Sequence, residues 1–234
     1  MRLPFLLLIP GSLARYSIVC GNVGGKNSIE NAIQESIKMA SNARDQLADL
    51  TKDTTAAAFN PLFKPSDVDT LTILYDRVIN IATSALKVTF YCDSAFIDWS
   101  DPFSRWIDTA FTYTATDGST KSVSLYKVGQ DRSKKPGTSG SFTTLGYKLD
   151  LPNGDVADFS DQAHIMVSEN RWNHLKNDGL DHRPLSIVNS DGFRDGYTAL
   201  DQLKPLLETV FHELMHAVGG SKLATLLRES TIKG

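Results

Sequence analysis

Apolar residues recur every three or four positions at Ile29, Ala32, Ile33, Ile37 and Ala40. That spacing predicts a helix over residues 28–50, capped at its start by Asn27 or Ser28. After a Pro- and Asn-containing connection, "TTAAAFNPLFKP", a second set follows at Val68, Leu71, Leu74, Val78 and Ile81. It predicts a helix opening at Ser66 and running to Ala85. From Lys87 the period shortens, and "KVTFYC" reads as a β-branched and aromatic strand. "FTYTATDGSTKSVSLYKV" (111–128) predicts a hairpin turning at Asp117-Gly118. "SFTTLGYKLDL" and "AHIMVSEN" predict further short strands, with a turn at Asn153-Gly154 between them. A polar loop with Gly179, Gly192 and Gly196 leads to a last helix that begins between Asp201 and Pro205. Two helices, several strands and one more helix make an α+β chain of one domain.

The last helix carries the chemistry. At about 100° per residue, Val210, Phe211, Leu214 and Val218 form an apolar stripe, and His212 and His216 project away from it. A spacing of four residues is roughly 6 Å of helical rise, so both imidazoles can reach one ion. Zinc held this way needs neutral imidazole nitrogens at about 2 Å. Glu213 follows the first histidine and completes H-E-x-x-H. There the carboxylate takes a proton from the attacking water and later delivers it to the leaving amine.

Composition narrows the partners. The 234-residue chain is 41% hydrophobic, enough for one buried core, and its net charge of −3 offers no field for a polyanion. The basic residues cluster only at Arg132, Lys134 and Lys135, so nucleic acid is not an expected partner. No apolar run has the length of a membrane span.

"MRLPFLLLIPGSLA" reads as a secretory signal, residues 1–14, with Arg2 before an apolar run and small residues at Ser12 and Ala14. The other reading of this stretch is a buried N-terminal strand. With cleavage after Ala14, the domain proper is 15–234, a secreted protein that no longer touches a membrane. Cys20 and Cys92 both remain in it, either as one disulfide or as two buried thiols. The sequence contains no Asn-x-Ser/Thr acceptor for an N-glycan.

Two N-terminal helices, the "TFYC" strand, a late strand and the "HELMH" helix together resemble the fungal secreted zinc metalloendopeptidases of the deuterolysin (aspzincin) type and their lysine-specific relatives. The likeness spans residues 27–220, and "HELMH" is its one specific motif. It implies a zincin-like domain that hydrolyses peptide bonds of polypeptide substrates. His212 and His216 would be the ligands of Zn2+, and Glu213 the general acid/base. The third ligand of that family is an aspartate in a downstream G-T-x-D segment, and none follows His216 here. Residues 217–234 hold no His, Asp or Cys, which leaves Glu229 as the one acidic candidate. Leu223, Leu226 and Leu227 would form the packed face of a short helix after a Gly219-Gly220 turn, and Glu229 lies about 110° from it, toward solvent. A metzincin pattern fails as well, because Lys222 stands where its third histidine belongs and an ammonium cannot coordinate a cation. Upstream, His164, His174, Asp181 and His182 remain, with the histidines expected as surface imidazoles. The expectation is a C-terminally truncated metallopeptidase domain. Its alternative is a catalytically silent secreted binding module or effector on the same scaffold.

Overall fold

The computed structural model describes residues 16–20, 25–50, 63–115, 117–122, 125–129, 131–137, 140–151, 154, 156–168 and 206–231. Side chains at 122, 125–129 and 221–231 are outside that description, as are residues 1–14, on which the expected signal falls, and His174, Asp181 and His182.

The first described elements are strand β1 (Tyr16–Val19) and helix α1 (Lys26–Leu47), which buries Ile29, Ala32, Ile33 and Ala40 as the spacing predicts. A 3-10 turn at Pro65–Asp67 leads into α2 (Val68–Ile79). Strands β2 (Lys87–Tyr91), β3 (Ile97–Ser100), β4 (Arg105–Asp108), β5 (Thr112–Thr114), β6 (Thr120–Ser122) and β7 (Leu125–Gly129) follow. Then come β8 (Phe142–Leu145), β9 (Lys148–Asp150), β10 (Val156–Asp158), β11 (Gln162–Met166) and α3 (Leu206–Thr231).

The principal sheet has the order β1-β2-β11-β8. β1, β2 and β11 run parallel, and β8 is an antiparallel edge strand with Ile165 opposite Thr143 and His164 opposite Thr144. Because side chains alternate along a strand, each face of this sheet has its own core. Val88, Phe90, Ala163 and Ile165 pack with Ile29 and Ile33 of α1, Leu74 and Val78 of α2, and Val210 and Leu214 of α3. On the opposite face Tyr91 and Met166 meet Phe96, Ile97, Trp106 and Phe142. That second core is shared with the antiparallel sheet β3-β4-β7, while the hairpins β5-β6 and β9-β10 enclose a cluster of their own around Phe111, Tyr113, Ala157 and Phe159. The α+β class expected from the order of elements therefore holds.

Several boundaries differ from the sequence expectation. The second helix stops at Ile79 rather than Ala85, with Ile81 N–H donating to Val78 O in a tighter turn. Ile81 stays buried all the same. The 111–128 hairpin is confined to β5 and β6, and β7 leaves it to pair with β4. The "SFTTLGYKLDL" stretch divides at Gly146, where a Cβ would lie 2.0 Å from Phe159 O. The turn with Gly154 joins β9 to β10, both of which precede β11.

Cys20 and Cys92 form a disulfide, with Cα atoms 4.7 Å apart and a sequence separation of 72. It lies just beyond the ends of β1 and β2, where Cys92 N–H donates to Val19 O at 3.1 Å. The alternative of two free thiols is thereby removed.

Candidate metal centre on the last helix

The apolar stripe orients α3. Leu206, Leu207, Val210, Leu214, Ala217 and Val218 are buried, whereas His212 is exposed and His216 half-buried. Helical periodicity then places the two imidazoles on neighbouring turns of the accessible side. Their Nε2 atoms lie 3.1 Å apart, with ring centroids at 4.6 Å and planes inclined by 75°. Two nitrogens bound to one zinc at 2.0–2.1 Å in a tetrahedral site are separated by about 3.3 Å. The pair therefore fits a shared divalent cation in donor type and spacing.

Glu213 differs sharply from its neighbours: only 6% of its surface is exposed. A buried carboxylate needs donors, and Thr143 of β8 supplies one. The Thr143 hydroxyl lies 2.7 Å from Glu213 Oε2 and 3.1 Å from the Glu213 main-chain oxygen. Thr143 can reach α3 because its register partner Ile165 points into the helical core. Thr144, one position on, faces the other way with His164.

The helix is also fixed at its far end. Arg77 Nη1 of α2 donates to Val218 O at 2.8 Å. Two residues later Gly220 takes φ 57° and ψ −152°, which interrupts the helix before residues 221–231 resume it. Such a backbone is essentially restricted to glycine. The break matches the Gly219-Gly220 turn expected from the sequence. The Glu229 side chain lies outside the described residues.

His164 corrects an expectation, since it is not a surface imidazole. It is 4% exposed, on the sheet face opposite α3, with Nδ1 at 2.8 Å from Asp108 Oδ2. Asp108 Oδ1 accepts from Ala110 N–H at 2.9 Å, and the imidazole stacks on Phe111 at 4.0 Å. Tyr91 borders the same cluster, and burial, then the nearby Asp108 charge, pushes its phenol up to about 12. This placement separates His164 from His212 and His216 by the thickness of the sheet.

Among the described residues, no group of three or more His, Cys, Asp and Glu gathers as a metal site. What the fold does bring together is two convergent imidazoles and one sheltered carboxylate. The sequence motif named these three residues. Thr143, Arg77 and Asp108 were missed, because a single Thr, Arg or Asp has no local pattern that reveals a partner in another element. Comparison of the chain with protein-family models, with curated proteins and with solved structures returns no match.

Proposed function

We propose that this chain is a secreted zinc-dependent metalloendopeptidase on a zincin-like domain, acting on polypeptide substrates. One observation carries the reading: the Nε2 atoms of His212 and His216 converge to 3.1 Å on the accessible side of a helix, with a buried glutamate, Glu213, in the turn between them. A mixed sheet with an antiparallel edge strand beside that helix supports the architecture. A disulfide and the lack, among the described residues, of any helix long and apolar enough to cross a membrane are consistent with export.

His212 and His216 would hold the metal through neutral Nε2 atoms. Bound zinc supplies Lewis acidity, which polarises a peptide carbonyl and makes water a nucleophile near neutral pH. Glu213 handles the proton. Its Oε2 accepts from Thr143, while Oε1 has no hydrogen-bond partner among the described residues. Oε1 is thus the atom available to take a proton from water and return it to the leaving amine nitrogen. Burial of the carboxylate between α3 and β8 limits its freedom.

The second reading is a catalytically silent secreted binding module or effector. On its side is the pairing of only two imidazoles among the described residues, a set that holds zinc weakly compared with three protein ligands. Metal analysis and a peptide-cleavage assay separate the two. The peptidase reading expects zinc-dependent cleavage, loss of bound zinc on His212→Ala, and a fall of about 10²-fold or more on Glu213→Gln with zinc retained. Zinc held no tighter than micromolar, with no cleavage at saturating metal, would sink it and favour the silent scaffold.

A further inference from the structure

We infer that Thr143 is a positioning residue for Glu213: its hydroxyl anchors one carboxylate oxygen to strand β8 and thereby assigns the proton-handling role to the other. The inference rests on the peptidase reading above. A threonine hydroxyl carries one proton, and it faces two acceptors, Glu213 Oε2 at 2.7 Å and Glu213 O at 3.1 Å. The shorter contact has the length of a charge-assisted O–H···O⁻ bond, so the proton belongs to the carboxylate. Proximity to the main-chain oxygen places the hydroxyl against the helix backbone at the same residue, which fixes its position relative to both elements.

Three further features make the anchor stiff. Thr is β-branched, so its χ1 has few states and its hydroxyl is a directed donor. The register of β8 is set by its ladder to β11, Phe142 to Met166 through Leu145 to Ala163. A slip of one residue would turn Thr143 away from α3 and bring Thr144 toward it. Glu213 itself is 6% exposed, so water offers little competition for Oε2. A carboxylate that must shuttle a proton at one oxygen gains from having the other held, because a small misplacement of a reacting group costs up to about 10²-fold in rate.

The experiment compares wild type, Thr143→Val, Thr143→Ser, Glu213→Ala and the Val/Ala double variant. Urea unfolding of the metal-free proteins reads the bond itself. Thr143→Val should lower the midpoint of wild type and lower that of Glu213→Ala clearly less, because only the main-chain acceptor at residue 213 remains there. Peptide hydrolysis at saturating zinc, with zinc affinity measured by chelator competition, reads the role. Thr143→Val should lower kcat about ten- to a hundredfold with KM and zinc affinity unchanged, and Thr143→Ser should recover most of the loss. A wild-type kcat in Thr143→Val overturns the inference alone. So does a full midpoint shift on the Glu213→Ala background, or a parallel loss of kcat and zinc affinity. A wild-type protein that binds zinc and cleaves nothing overturns the peptidase reading, and the positioning role with it.

Discussion

Asp108 closes β4 with no exposed surface, and both of its carboxylate oxygens are engaged, one by His164 and one by Ala110 N–H. Truncation there strands two polar groups in an aromatic environment formed by Tyr91, Phe96 and Phe111. Asp108→Ala is expected to cost about 3 kcal/mol, because a buried donor left without its acceptor bears the full desolvation penalty. Urea denaturation measures it. Zinc binding by the folded protein should be unchanged, since His164 lies across the sheet from α3; a matched loss of zinc would contradict that separation. Residues of this kind mark the limit of what the sequence could convey. His212, Glu213 and His216 are legible because their partners are four positions away or fewer. Asp108 is 56 residues from His164, and Thr143 is 70 from Glu213. Each is an ordinary polar residue until the fold is known.

At the scale of elements, periodicity reported burial faithfully and hydrogen bonding less so. Ile81 continues the three-and-four spacing of α2 and is buried, yet the backbone has already tightened at Asn80. β5 and β7 lie within one stretch that reads as a single hairpin, but alternation along a strand says nothing of which strand lies beside it. β3 and β4 went unread: the turn between them contains Ser104 at φ 48°, a non-glycine in a left-handed conformation that no local signal announced. The break in α3 was legible, because two adjacent glycines end an amphipathic pattern. Gly220→Ala tests whether that break is a fixed feature. Nothing lies within 4 Å of a Cβ at this position, so the cost is conformational, on the order of 1–3 kcal/mol. A melting temperature equal to wild type would mean the helix passes through Gly220 without strain.

For the whole molecule, the disulfide and the sheet serve the same junction. β1 pairs with β2 over Tyr16–Val19, and the Cys20–Cys92 bond follows directly. Tyr16 adds a hydrogen bond to Glu30 of α1 and packs edge-on against Phe90. Replacing both cysteines with serine should lower stability by about 4 kcal/mol, the chain-entropy value for a loop of this length. Equilibrium unfolding with and without reductant checks it: the wild type should respond to reductant and the double variant should not. An unchanged midpoint in both would show that β1 holds without its covalent tie.

The order β1-β2-β11-β8 also sets a schedule for the emerging chain. β11 joins β2 to β8, yet of the four it is the last to be synthesised. Until residue 162 has appeared, β2 presents an unpaired edge and β8 has no neighbour in the sheet. Exposed edges of this sort recruit other strands, including those of sister chains. Cys92 emerges long before β11, so oxidation to Cys20 can fasten β1 along one side of β2 early. The remaining open edge leaves a window, spanning the synthesis of β3 through β10, in which a holding chaperone would have work to do.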